Sequence, residues 1–279
     1  MRAIHVCWTR PKTFKPEDFE ILTAVISAMS WRKNNGSIAL VTDSNGADFF
    51  RGCGLDGLWN DGISTELDDI PQNINPEIFW ASGKIFALKA QKMPVAVMDT
   101  DFIVWDKLDF DAYSDAAVIH FEDITDVYPP KEFFKMNEKY SFPKWFDWDI
   151  NACNTAFYAV KNQNFVKRYT DTAIRFMENA ADTGDRLHYM IFAEQRLFNM
   201  CAKAEGINVT GIAGLEKLYK ENKGWDISCI PNGSSLPIWN CDPIYRQKLR
   251  KDLGLKDDIR YFIFIGRFSG EKNPELLIR

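Results

Sequence analysis

Two periods of apolar positions alternate along the first 205 residues. "AIHVCW" at 3–8 is a short apolar run that reads as a buried strand ended by "TRPK". In "PEDFEILTAVISAMSWRK", Leu22, Val25, Ile26 and Met29 recur at i, i+3, i+4 and i+7. That spacing predicts a helix with these residues as its apolar stripe, and Pro16 suits its first turn. "SIALVT" at 37–42 is the next strand, closed by the turn-like "DSNG". Strand, helix and strand within about 40 residues are the signature of a parallel βαβ unit.

The pattern then repeats. "INPEIFWASGKIFALKAQ" at 74–91 predicts a helix with Ile78, Ala81, Ile85 and Leu88 on one stripe. It leads through Pro94 into "VAVMDTDFIVW" at 95–105, read as a strand continued by "FIVW". "DAAVIHF" at 115–121 and "NTAFYAVK" at 154–161 predict further strands, and 163–180 and 186–204 predict helices. The aromatic, charged stretch 121–151 is too long for a plain connection. Near residue 225 the character changes to a compact strand, loop and helix series. The expected organisation is therefore an α/β domain over 1–225 with an appendage at 226–279.

Composition narrows the class. With 46% hydrophobic and 26% charged residues, the 279-residue chain is that of a globular protein. A formal charge of −5 gives no general attraction to nucleic acid or an anionic membrane. Six cysteines without a C-x-x-C pair argue for reduced thiols and against a zinc site. No stretch approaches the roughly 18 apolar residues of a membrane span, and the first apolar run is too short for a signal peptide. A cytoplasmic protein is the expectation.

The chemistry concentrates at Asp99 and Asp101, which interrupt an apolar strand. In an extended chain both side chains face one way, roughly 6–7 Å apart. Their repulsion is then about 2.5 kcal/mol at an effective dielectric of about 20. A hard divalent cation turns that repulsion into attraction. The alternative is a turn in which the aspartates cap backbone amides. In open α/β sheets, ligands gather beyond the carboxyl ends of parallel strands, where this pair falls.

"WASGKIFALKAQKMPVAVMDTDFIVW" resembles the core of nucleotide-sugar-dependent glycosyltransferases of the GT-A fold, in which a helix with a basic residue precedes a strand ending in D-x-D. Together with "LVTDSNG" and "STELDDI" it is similar to a family of glycosyltransferase-like bacterial proteins. The resemblance covers residues 1–205 and is sharpest at Asp99-Thr100-Asp101. It implies a Rossmann-like, mainly parallel sheet. It also implies metal-dependent transfer of a sugar from a UDP- or GDP-sugar to a glycan or other hydroxyl acceptor, in polysaccharide or cell-surface glycan biosynthesis.

By the same resemblance, Asp101 binds Mn²⁺ or Mg²⁺, Asp99 serves the ion or the ribose, and Thr100 lies between them. Lys84 reaches a phosphate or a donor hydroxyl; the plain alternative is a solvated helix lysine. Thr9, Arg10, Thr42 and Asp43 fall where the nucleobase is contacted. Asn154 faces the sugar and acceptor, and Glu194 and Gln195 line the donor sugar, with Glu194 a catalytic candidate. In "FPKWFDWD", Trp145 and Trp148 either stack on a pyranose or anchor their loop, and Asp147 and Asp149 accept hydroxyl protons. Asp149 is the candidate general base of an inverting transfer. His5, His120 and His188 have no metal-ligand spacing.

The tail, from "ISCIPNG" to "GRFSGEKN", resembles the start of the second domain of GT-B "group 1" glycosyltransferases. Arg267 and Lys272 match its diphosphate-binding pair, but the remainder of that domain is missing, so they read as surface charges here. An unpaired strand edge in the tail could drive homo-oligomerisation. Two other functions compete: a sugar-nucleotide nucleotidyltransferase, against which the first loop lacks a glycine-rich basic signature, and a nucleotide- or glycan-binding module without turnover.

Overall fold

The computed structural model describes residues 1–212, apart from 12, 13, 114, 125 and 126, together with Lys251. The chain divides into two units, Met1–Ile230 and Pro231–Arg279. The expected appendage at 226–279, with Arg267 and Lys272, lies outside the described residues, as does any pairing through it.

The first βαβ unit is β1 (Ala3–Cys7), α1 (Asp18–Asn34) and β2 (Ile38–Thr42). It is followed by α2 (Ser44–Gly52), β3 (Ile63–Ser64), α3 (Ser82–Lys89) and β4 (Val95–Met98). Next come β5 (Ala116–Val118), β6 (Phe121–Glu122), β7 (Ala152–Cys153) and β8 (Phe157–Val160). Helices α4 (Gln163–Asn179), α5 (His188–Ile191) and α6 (Leu197–Ala204) precede the edge strand β9 (Val209–Gly211). A π-helical turn, Phe192–Arg196, joins α5 to α6.

Among the described residues the main sheet has seven strands in the order β3-β2-β1-β4-β8-β5-β9, and β6 pairs with β7 in a separate ribbon. Only β8 runs antiparallel to its neighbours in the main sheet. Strand alternation sends successive side chains to opposite faces. Ile4, Val41, Val95 and Val97 face one core with Ile85 and Leu88 of α3, Phe165 and Phe176 of α4, and Phe198 of α6. Ala3, Ile38, Leu40, Ala96 and Met98 face the other, with Ala28 and Trp31 of α1 and Phe50 of α2. The result is an α/β protein whose mostly parallel central sheet is flanked by helices. From β1 the chain builds outward through β2 and β3, then returns to β4 on the other side of β1. This is a topological switch, and the carboxyl ends of β1 and β4 diverge there to leave a crevice.

Four local expectations are corrected. Leu22, Ile26 and Met29 point away from the core; α1 buries Ala24, Ser27, Ala28 and Trp31 instead. Small residues let the helix lie close on the sheet, and the buried Trp31 indole, donating to the Ser37 carbonyl, supplies the bulk. "DSNG" is a helix start, not a turn: the Asp43 side chain caps α2 through the Gly46 N–H. "FIVW" forms no strand, because the Ser27 and Ser30 hydroxyls take the Phe102 and Val104 carbonyls that a ladder would use. The helix expected over 74–91 is regular only over Ser82–Lys89, although Ile78, Ala81, Ile85 and Leu88 are all buried as its stripe requires.

Candidate active site

Asp99 follows the last residue of β4, and its N–H donates to the Ala156 carbonyl just before β8. The chain then turns at once, with the Phe102 N–H donating to the Asp99 carbonyl. The two aspartates therefore do not share one strand face, as strand alternation would require. Asp99 is partly buried and Asp101 is exposed.

Lys84 reaches Asp99 from α3. Gly83 lets that helix close on β1: a Cβ there would sit 2.8 Å from Trp8 Cβ and 3.3 Å from Leu67 Cδ1. From this close seat, Lys84 Nζ lies 2.6 Å from Asp99 Oδ1 and 2.6 Å from Glu194 Oε1. The Thr155 hydroxyl donates to the same Glu194 oxygen at 3.0 Å, and Lys84 also donates to the Thr155 carbonyl at 3.3 Å. The Tyr169 hydroxyl donates to the Glu194 carbonyl, fixing the π-helical turn that carries the carboxylate. Such turns occur disproportionately at functional sites.

Two carboxylates, Asp99 and Glu194, thus flank one ammonium, and the exposed Asp101 lies two residues along the chain from Asp99. Burial pushes Asp99 up to about 6; Lys84 opposes the shift, while Glu194 and Asp101 add to it. Burial works against the charge on Lys84 too, but Asp99 and Glu194 outweigh it and hold its pKa well above the ordinary lysine range.

Lys84, Asp99 and Thr100 line a cavity of about 290 Å³ with Val6, Cys7 and Trp8 from the end of β1. Lys15, Phe14, Ile21 and Ala24 form another wall, and Trp80 stands at its side, 46% exposed. The cavity lies between the carboxyl ends of β1 and β4, which is the topological switch. Its size is near the lower end for small-molecule sites.

Among the described residues no three His, Cys, Asp or Glu side chains converge to hold a metal by themselves. A Mg²⁺-type ion needs only one or two carboxylates when substrate phosphates complete its shell. Asp99 and Asp101 supply that number, and the excess negative charge around Lys84 suits a cation, so the residues fit such an ion.

Other candidates fall elsewhere. Asp43 accepts from the Thr9 N–H, the Thr9 hydroxyl and the Gly46 N–H. The Thr42 hydroxyl donates to the Cys7 carbonyl. Arg10 donates to the carbonyls of Ile70, Pro71 and Ile74 and stacks over Trp8 at 4.9 Å. These four residues bind the strand ends and loops together, and none lines the cavity. Asn154 donates to Glu122 Oε1, which His120 Nε2 also meets at 2.9 Å. Gln195 accepts from the Tyr128 hydroxyl.

Asp149 is exposed on a loop anchored elsewhere: Trp148 stacks on Phe192 at 5.3 Å, and Asp147 pairs with Lys203. Trp145 packs against Arg168, 4.5 Å from ring centre to guanidinium carbon. The tryptophans thus anchor their loop. Buried Arg196 pins the long segment, donating to the carbonyls of Tyr128, Pro129 and Trp148.

Sequence reasoning missed Trp8, Lys15 and Thr155. Trp8 carried a usable signal, since it follows β1 at the same sheet edge as Asp99. Thr155 sits beside the singled-out Asn154, and Lys15 lies in a loop whose pattern carries no such signal.

The fold and crevice define an α/β protein whose mostly parallel, helix-flanked sheet is compatible with a Rossmann-like fold, with a charged site at its switch point. The chain belongs to DUF6734, a family of unknown function, whose model matches residues 1–231. Comparison with curated proteins gave no match. Among the described residues no helix is long and apolar enough to cross a membrane.

Proposed function

We propose that the protein is a GT-A-type glycosyltransferase that moves a sugar from a nucleoside-diphosphate donor to a hydroxyl acceptor. The observation that carries this reading is the Lys84–Asp99–Glu194 cluster beside the exposed Asp101, opening into the switch-point cavity. Nucleotides are favoured at this position in open α/β sheets. A carboxylate pair with spare negative charge suits a divalent ion shared with a diphosphate.

Asp99 and Asp101 hold Mn²⁺ or Mg²⁺, which when bound supplies Lewis-acid stabilisation of the leaving diphosphate. Lys84 aims Asp99 and Glu194 by pairing with both and favours the charged form of Asp99, and Thr155 fixes the second carboxylate. Trp8 and Trp80 offer aromatic surface to the donor, and Lys15 a positive charge at the cavity wall. Asp149 drops out as the favoured base, because its loop is tied to α6 and lines no part of the cavity.

The test is a turnover screen of UDP-, GDP-, CMP- and dTDP-linked sugars with Mn²⁺, reading released nucleotide. Release from one donor class, lost in Asp101→Ala and on chelation, is the expected result. Binding of a nucleotide sugar without release, across a panel of saccharide acceptors, would point to a binding module instead.

A further inference from the structure

Helix α1 has two faces of opposite character. The inner one buries Ala24, Ser27, Ala28 and Trp31. The outer one carries Phe19, Leu22, Ile26 and Met29, which are 52%, 58%, 42% and 58% exposed. Their spacing of three, four and three residues is that of a and d positions in a heptad repeat. A stripe of that period fits another helix by knobs-into-holes packing, and isolated exposed apolar residues show no such order.

We propose that a second copy of the chain covers this stripe, α1 lying antiparallel on α1 about a two-fold axis. Charge selects both the occupant and its direction. The first turn of α1 is acidic, with Asp18 and Glu20, and the last turn is basic, with Arg32 and Lys33. A helix of this polarity complements its own reversed copy and repels a parallel one.

The heptad register agrees. If Phe19 layers on Met29 of the second copy and Leu22 on Ile26, the flanking Asp18 comes beside Arg32 of the second copy. Arg32 Nη1 is already held by the Gly57 and Leu58 carbonyls, which orients the group and leaves three N–H donors on Nε and Nη2. Thr23, small and uncharged, meets its own counterpart near the axis.

Four apolar layers on a helix of this length place the interface at the small end of specific contacts, so the dimer is reversible, with dissociation in the micromolar range. Ile21 and Ala24 of the same helix line the switch-point cavity. Pairing therefore stiffens a wall of the site from behind. This inference does not depend on the proposed glycosyl transfer.

Sedimentation velocity of the full chain across a concentration series tests it. The wild type is expected to pass from monomer to dimer, and Ile26→Glu and Leu22→Glu to shift that transition at least about tenfold upward. Direction is read by mixing Phe19→Cys with Met29→Cys, both in a Cys53→Ser background because Cys53 is exposed. A mixed disulfide is expected under mild oxidation, and Phe19→Cys alone should not cross-link.

A wild type that stays monomeric at several hundred micromolar overturns the proposal. So does a dimer indifferent to both glutamate variants, or one in which Phe19→Cys links to itself. Co-flotation with vesicles of phosphatidylglycerol and phosphatidylcholine, lost in Ile26→Glu, together with a monomeric wild type, would assign the stripe to a lipid surface.

Discussion

Replacing Lys84 by Met removes the only side-chain cation within ion-pair distance of Asp99 and Glu194 among the described residues. Each carboxylate oxygen lies 2.6 Å from Nζ, so the two are at most about 5 Å apart. Without the ammonium, their repulsion at an effective dielectric of about 20 is about 3 kcal/mol. Removing one partner of a buried pair costs a similar ~3–5 kcal/mol in general. A loss of about 3 kcal/mol lowers the melting temperature of a domain this size by about 6–12 °C.

The pH dependence separates this cause from lost packing, which Met largely preserves. Asp99 already sits at about 6 with Lys84 opposing the shift, so removing the ammonium raises it further. A carboxyl whose folded pKa exceeds its unfolded value loses stability as pH rises through the folded pKa. The deficit of Lys84→Met is therefore largest near pH 8 and shrinks toward about pH 5. Thermal unfolding of both proteins across that range reads it directly. A deficit below about 1 kcal/mol at pH 8, or one that grows in acid, would refute the reasoning.

Three further outcomes follow from other parts of the fold. His5 is buried between Trp59, whose indole N–H donates to Nδ1, and the Ser27 hydroxyl at 3.0 Å from Nε2; burial pushes its pKa down to about 3. Because its folded pKa lies below the unfolded 6.5, stability falls by about 1.4 kcal/mol per unit between about pH 6.5 and 3. His5→Gln should flatten urea-midpoint-against-pH plots by one proton, and an unchanged slope would contradict this. Gly83→Ala should cost about 1–3 kcal/mol by forcing α3 off Trp8, measured by urea denaturation. Arg196→Met strands three loop carbonyls, with an expected loss of about 3 kcal/mol and faster proteolytic cleavage within 121–151; equal cleavage rates would show that the loop is held by its aromatic anchors alone.

The order of the α/β elements was legible because long apolar runs carry it. β1, β2 and β4 are short continuous apolar stretches, and α4 has an amphipathic repeat. The two- and three-residue strands β3 and β9 leave no periodic trace, and they form because neighbouring strands offer free edges. The outward stripe of α1 misled periodicity reasoning, which registers an apolar face without saying what covers it. At the site, Asp99 and Lys84 were legible from residue type and position. Their contact was not, since it depends on Gly83 admitting α3 so close to β1. Asp43, Thr9 and Arg10 show the converse: polar groups at a strand end suggest ligand contacts, yet here they satisfy the backbone and one another.

The central claim is best tested by calorimetric titration of UDP and GDP, with and without Mn²⁺, on the wild type and on Asp101→Ala. The expected result is binding of one nucleotide class that needs both the ion and Asp101. It should weaken below about pH 6, as Asp99 takes up its proton. Nucleotide binding indifferent to Mn²⁺, to Asp101→Ala and to pH would contradict the account.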